Sequence, residues 1–215
     1  MTDRTRAAVR KLYRDSPVLE RAHTWFRSVS CPFGAISAAV PEEGRVLEVG
    51  CGHGFGSLYL ALDRPHRNVH GVDIDRDKIN VANQAGATVP NVAFRHVSEG
   101  YLPTGAWDAI VIIDVLYLLG EEEAMRLIDA CAEAIVPGGT LVVKEIDFHP
   151  RWKYEWARLQ ELAATKVLRI TEGTGVSFIA PEAIRKRIEE HGLRAQVEAI
   201  DRWSPWPHAM ISGTR

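Results

Sequence analysis

Cysteine is scarce in this chain and unclustered: Cys31, Cys51 and Cys131 form no Cys-x-x-Cys pair and no group with histidine. That removes a disulfide framework and a structural zinc site, and it fits free thiols in a reducing cytoplasm. Long apolar runs are missing too. No early stretch resembles a signal peptide and no uncharged stretch has spanning length, so a soluble, cytoplasmic protein is expected. Neither charge is in excess: 26 Lys and Arg stand against 28 Asp and Glu, a formal net charge of −2. Bulk attraction to nucleic acid is not supported by this composition, local patches aside, and no specific nucleic-acid partner is expected. Repeats and low-complexity segments are absent as well. What remains is 215 residues, 46% of them hydrophobic and 25% charged, enough for one substantial core.

Within that composition, apolar runs alternate regularly with helical periodicity from Arg45 onward. "RVLEVG", "NVHGVDI" and "NVAFRHV" are three short strands. Between them, "SLYLAL" begins a helix after a glycine-rich turn, and "DRDKINVANQAG" is a helix ending at Gly86. "WDAIVIIDVLYLL" has the continuous β-branched character of a fourth strand buried on both faces. "EEEAMRLIDACAEAI" follows as an amphipathic helix, stopped by Pro137-Gly138-Gly139, and "TLVVKEID" is a fifth strand. The spacing predicts a doubly wound, mostly parallel α/β sheet that binds ligands at the carboxyl ends of its strands. Two more strands, "LRAQVEAIDRW" and "HAMISGT", are predicted around the turn Ser204 to Pro207. Two segments fall outside the alternation: a basic, helical N-terminus, and "HPRWKYEWARLQELAATKVLRIT", a helix in which Trp152, Trp156, Leu159 and Leu162 share a face.

The first turn, "VLEVGCGHGFG", places Gly50, Gly52, Gly54 and Gly56 between strand and helix. Glycine there permits positive φ and close approach of a ligand to the main chain. The run does not satisfy Gly-x-Gly-x-x-Gly from any starting glycine, which weakens a nicotinamide dinucleotide reading. Glu48 beside it disfavours a phosphate-only cradle. About twenty residues on, Asp73 ends the second strand, where a carboxylate can accept the two hydroxyls of a ribose; the alternative is a cap for the helix that follows.

"EVGCGHG", "GVDID", "WDAIVIIDVLYLL" and "VPGGTLVVKE", in this order, resemble the class I S-adenosylmethionine-dependent methyltransferases, particularly their small-molecule branch. The resemblance runs from about Arg45 to Glu145. It implies a Rossmann-like methyltransferase sheet, a methyltransferase domain over residues 45–215 with an inserted helix at about 151–169, and a helical cover over residues 1–44. It further implies S-adenosyl-L-methionine as cofactor, packed against Gly50, Gly52 and Gly54. Glu48 would support the loop and the methionine ammonium, Asp73 would hold the ribose, Ile74 would lie against the adenine, and Asp114 would stand near the methionine part. The acidic residue common after the third strand is replaced here by Ser98. A non-catalytic cofactor-binding module, or a nicotinamide-dependent oxidoreductase, are the alternatives.

Carboxylates at Glu48, Asp73 and Asp114 suit a ligand carrying a sulfonium and an ammonium. Methyl transfer is an in-line displacement that asks the protein to align, exclude water and remove a proton where required. Tyr117, after the fourth strand, and His149, after the fifth, are the catalytic candidates, with Glu145 and His208 behind them. Glu145 could instead pair with Lys144. No metal site is indicated. For the acceptor, Arg151, Trp152 and Tyr154, with Tyr13 on the N-terminal segment, combine aromatic area with cations and suit a small hydrophobic or amphiphilic molecule bearing an acidic group. The basic N-terminal helix reads either as a solvated face or as peripheral contact with an anionic membrane.

Overall fold

The computed structural model describes residues 2–146, 179–200 and 208–215. Its centre is a seven-stranded sheet of β1 (Gly44–Val49), β2 (Arg67–Asp73), β3 (Val92–His96), β4 (Trp107–Ile113), β5 (Ile135–Ile146), β6 (Arg194–Ala199) and β7 (His208–Thr214). Their spatial order is β3-β2-β1-β4-β5-β7-β6. The first five strands are parallel, and β7 pairs antiparallel with both β5 and β6. The order reverses between β1 and β4, which opens a crevice at their carboxyl ends.

Period-two alternation sorts the strand residues onto two cores. Leu47, Ile110, Ile112, Leu141 and Val143 face one side. There they meet α6 (Glu121–Ala134) and α7 (Pro181–Glu190) through Leu127, Ile128, Ile184 and Ile188. Val46, Ala109, Val111, Ile113 and Val142 face the other side, against α4 (Phe55–Asp63) and the N-terminal helices. Those helices are α1 (Thr2–Leu12), α2 (Val18–Ser30) and α3 (Phe33–Ala39). Val9, Tyr13, Phe33 and Ile36 belong to this second core, so the cover is packed into the fold rather than laid on it. The fifth helix in the chain order, α5 (Arg76–Gly86), covers β2 and β3.

Below the strands, Arg67 fastens α3 in place. Its guanidinium is 1% exposed and donates to the carbonyls of Ser37, Val40, Pro41 and Leu60 and to the Ser37 hydroxyl, at 2.6–3.3 Å. A buried charge survives only with such complete hydrogen bonding.

Two boundaries differ from the sequence reading. The run "WDAIVIIDVLYLL" is a strand only to Ile113; Asp114 adopts φ +57° and Leu116–Leu118 form a 3₁₀ turn. Apolar character persisted past the strand because Leu116 is buried in the same core. Pro137-Gly138-Gly139 does not stop α6, which ends at Ala134. The three residues form an irregularity within β5, where the pairing with β4 jumps from Ile135 opposite Trp107 to Thr140 opposite Ala109. The turn Ser204 to Pro207 and the helix expected at about 151–169 lie outside the described residues.

Candidate active site

The glycine loop is hung from β2. Gly50 and Cys51 donate their main-chain N–H groups to the Val72 carbonyl at 2.8 and 3.0 Å, and the Gly52 N–H reaches an Asp73 carboxylate oxygen at 2.7 Å. The other Asp73 oxygen accepts from the Asp75 N–H at 2.9 Å. Capping of α5 falls to Asp75, which accepts from the N–H groups of Asp77 and Lys78, so the alternative role for Asp73 is already filled. A carboxylate has about four lone-pair positions, and the two bonds to Asp73 leave room for two more donors.

The four glycines have different reasons. A Cβ on Gly50 would meet the Val115 side chain, one on Gly54 the Phe94 ring and Ala82, and one on Gly56 the Glu48 carboxylate. Gly52 alone of the four has positive φ, +53°, and open space where a Cβ would be. It is the point at which the loop offers bare main chain to something outside the protein. Ile74, directly after Asp73, is 54% exposed, an apolar shelf beside that opening.

Glu48 lies under the loop and is buried. It accepts from the Ser57 hydroxyl at 2.5 Å. Ser57 stands in the first turn of α4, whose N-cap is Gly54 and has no side chain to serve the free N–H groups. Burial pushes the Glu48 carboxyl up to about 7, against the pull of the Ser57 hydrogen bonds.

Across the crevice, at the ends of β4 and β5, the chemistry differs. Asp114 is gripped by Lys144 Nζ on one oxygen and by an Arg27 guanidinium nitrogen on the other, each at 2.5 Å. Lys144 is 1% exposed. Burial alone would raise the Asp114 carboxyl, but Lys144 and then Arg27 outweigh it and hold it well below the usual carboxylate range. Glu145 does not pair with Lys144. One of its oxygens accepts from the N–H groups of Val115 and Leu116 at 3.1 and 2.8 Å, and burial, with Asp114 nearby, pushes its carboxyl up to about 8. Tyr117 sits half-buried on the 3₁₀ turn just beyond Asp114.

The roof of the crevice is α1 and α2. Tyr13 is buried and donates its hydroxyl to the His53 carbonyl at 2.7 Å, which fastens α1 to the glycine loop. That bond commits the proton of the Tyr13 hydroxyl within the protein. The His23 ring lies 4.8 Å from the His53 ring. Burial, then His53, pushes His23 down to about 4, and burial lowers His53 as well. Buried polar atoms gather here without a protein hydrogen-bond partner: Nδ1 of His23, Nδ1 of His53, and one oxygen of Glu20, a turn before His23 on α2. His208 gives its Nε2 to the Ser30 carbonyl at 2.9 Å, and burial, then Lys144, brings it down to about 4.

Glu48, Gly52, Asp73, Ile74, Asp114, Tyr117 and Tyr13 are thus gathered around one crevice, with Gly50 and Gly54 shaping its loop. Ser98 is exposed just after β3, and its carbonyl accepts from the Tyr101 N–H. His149, Arg151, Trp152 and Tyr154 lie outside the described residues. The summed anionic field expected from Glu48, Asp73 and Asp114 is not what the structure holds. Asp114 is neutralised by two cations and Glu48 is proton-loving. Among the described residues Asp73 has no Lys or Arg within ion-pair distance. Arg27 was not among the sequence candidates, because nothing in "TWFRSVS" distinguishes it. Lys144 did carry a signal, a lone cation in the apolar run "TLVVKEI".

An open main-chain face at Gly52, spare acceptor capacity on Asp73, an apolar shelf at Ile74 and three orphaned polar atoms under the roof fit a nucleoside-bearing ligand such as S-adenosylmethionine. Comparisons with known proteins bear on the same region. The methyltransferase-domain family matches residues 46–139. A probable S-adenosylmethionine-dependent methyltransferase of Mycolicibacterium smegmatis is 27% identical over 218 residues, covering 93% of this chain and 80% of the relative. A ubiquinone biosynthesis O-methyltransferase of Xylella fastidiosa is 31% identical over 179 residues, covering 80% and 70%. A fatty-acid O-methyltransferase of M. smegmatis is 28% identical over 180 residues, covering 80% and 60%. Among solved structures, the S-adenosylmethionine-dependent methyltransferase SibL in its apo form has the same fold, with a TM-score of 0.71 at 21% identity. That alignment covers 96% of this chain and 61% of SibL.

Proposed function

This chain belongs to the class I S-adenosylmethionine-dependent methyltransferases, and from that premise we propose that it methylates a small hydrophobic or amphiphilic acceptor bearing an acidic group. The observation that carries the cofactor half is Gly52, bare main chain facing open space and tied by its N–H to Asp73. The acceptor half is supported by relatives named for ubiquinone biosynthesis and for fatty-acid O-methylation.

Bound S-adenosylmethionine would supply an electrophilic methyl group on a sulfonium. Asp73 would accept the ribose hydroxyls with its spare lone pairs, Ile74 would cover one face of the adenine, and Gly52 would let the main chain approach. Glu48, beneath the loop, would hold α4 and the loop in register through Ser57. Asp114 is committed to Arg27 and Lys144, so its service is to fix α2 over the crevice and keep water out. Tyr117, on the turn after Asp114, is the proposed acceptor-side group, joined by His149 after the fifth strand.

Methyl-labelled S-adenosylmethionine, purified protein and an extract of the source cells, partitioned between butanol and water, test the reading. Label entering butanol, and lost with Asp73→Ala, is expected. Label confined to water would remove the amphiphilic acceptor. No label anywhere, with firm stabilisation by S-adenosylhomocysteine, would favour the cofactor-binding module without transfer. Stabilisation by NAD in place of S-adenosylhomocysteine would overturn the cofactor itself.

A further inference from the structure

A helix that covers a core turns its apolar stripe inward, and α2 does the reverse. Glu20, His23, Thr24, Arg27 and Ser28 recur at i, i+3, i+4, i+7 and i+8, the spacing of one helical face, and Thr24 and Ser28 are 3% and 0% exposed. Leu19 and Trp25 are turned outward, 74% and 54% exposed. Three of the five inward residues have their partners. Arg27 holds Asp114, and the hydroxyls of Thr24 and Ser28 donate to carbonyls of their own helix, those of Glu20 and Trp25, at 2.8 and 2.6 Å. The other two are open: one buried oxygen of Glu20 and the buried Nδ1 of His23 have no hydrogen-bond partner among the described residues. Facing them on the glycine loop, the Nδ1 of His53 is in the same state, its ring 4.8 Å from the His23 ring. Three such atoms on two elements that meet are costly unless something outside the protein answers them.

Their chemistry says what the answer is. Burial lowers both histidines, His23 to about 4, so at neutral pH each ring is uncharged and has one N–H to give. Glu20 offers a carboxylate oxygen, which accepts. Two N–H donors beside one carboxylate acceptor complement a group that carries a carboxylate and an ammonium together, the α-amino-acid end of a ligand. Simpler ligands leave part of the set unanswered. A lone anion would meet Glu20, and a lone organic cation would give the two rings nothing to donate to. A metal ion needs its ligands gathered at one point, and among the described residues no three His, Cys, Asp or Glu side chains are placed to hold one.

We propose that Glu20 and His23 of α2, with His53 of the glycine loop, clamp the amino-acid end of S-adenosylmethionine, the two rings donating to its carboxylate and Glu20 accepting from its ammonium. This rests on the cofactor reading above and adds the N-terminal cover to the residues that recognise the cofactor. The ammonium then finds its acceptor on α2, while Glu48 beneath the loop keeps its bond to Ser57. It also gives the inward polarity of α2 a single account: Arg27 fixes the helix to the fold through Asp114, and the turn before it meets the ligand.

Calorimetry on the full chain tests the clamp without any transfer step, by comparing S-adenosylhomocysteine with 5′-methylthioadenosine, which has the nucleoside and the thioether but no amino-acid end. Wild type should prefer S-adenosylhomocysteine by about tenfold or more. Glu20→Gln and His23→Phe should each weaken S-adenosylhomocysteine about tenfold and leave 5′-methylthioadenosine within about twofold. His23→Asn, whose amide N–H can stand where Nδ1 stood, should recover most of that loss. Against decarboxylated S-adenosylmethionine, which keeps the amine and lacks the carboxylate, Glu20→Gln should still weaken binding and His23→Phe should not. Unchanged circular dichroism and ligand-free thermal midpoints certify the fold of each variant, and His23→Leu replaces His23→Phe if the larger ring unfolds the chain. Equal weakening of both ligands by the variants would make α2 a packing element only and overturn the clamp. So would a wild type that binds the two ligands alike, with the cofactor's nucleoside site intact. Binding of neither ligand would remove the cofactor reading, and the clamp with it.

Discussion

At the ends of β1 and β2, Glu48 and Asp73 are held by neutral donors, a serine hydroxyl and main-chain N–H groups; at the ends of β4 and β5, Asp114 is held between two cations. The four strand ends line one crevice, yet the two sides settle charge in opposite ways. On the first side no cation among the described residues answers Asp73, and acceptor capacity is left over for a ligand. On the second the counter-charges are built in, and one of them, Arg27, arrives from the N-terminal cover. A carboxylate at a strand end is therefore a ligand-facing group or a structural bolt according to what reaches it from elsewhere in the chain.

The comparison breaks if the two sides respond alike to loss of charge. Asp114→Asn, which tolerates the left-handed backbone there, leaves Lys144 buried without a counter-charge. It should cost about 3–5 kcal/mol of unfolding free energy in urea titration. A cost below about 1 kcal/mol would mean that Lys144 finds water or another partner, and that Asp114 is no bolt.

Within the first side, the glycines sharpen the contrast between packing and binding. Gly54→Ala forces a Cβ into Phe94 and Ala82 at φ +83° and should cost about 2–3 kcal/mol of stability. Gly52→Ala meets nothing and should cost about 1 kcal/mol in strain, while weakening S-adenosylhomocysteine at least about tenfold in calorimetry by closing the open face. Equal binding by wild type and Gly52→Ala would take the cofactor away from that opening.

The smallest effect is a pH dependence. The Glu48 carboxyl stands at about 7 in the fold against an ordinary 4.5. Between those values the folded chain keeps a proton that the unfolded chain releases, so wild-type stability falls as pH rises through the window. Glu48→Gln has no proton to lose. Its thermal stability relative to wild type should climb by about 1 kcal/mol between pH 5 and pH 6 in ligand-free protein. A flat difference would mean that Glu48 is ionised in the fold.

Much of this was legible in the sequence, for definite reasons. Strand alternation and the glycine turn were readable because period two and positive φ are local demands, and Asp73 because its place follows from the second strand's end. The cap of α5 was not placed: the sequence reading offered Asp73 for it, and the structure gives the role to Asp75, two residues on. Partners across long sequence distance were not readable: Arg27 and Asp114 are 87 residues apart, and nothing near either announces the other. The orientation of α2 was hidden for another reason. Its amphipathic pattern is visible, but the rule that apolar faces turn inward assigns it the wrong way round when the surface beneath is a polar site. Pro137-Gly138-Gly139 misled because the same residues that end helices also kink strands.

Arg67 sets a limit on trimming the molecule. Four of its five hydrogen bonds end on Ser37, Val40 and Pro41, all before β1, and only the Leu60 carbonyl lies after it. A chain shortened to begin at Gly44 would keep every strand and the whole glycine turn. It would also carry a stranded guanidinium in its floor and a bare wall where Phe33 and Ile36 had packed. The first forty residues are thus masonry as well as roof.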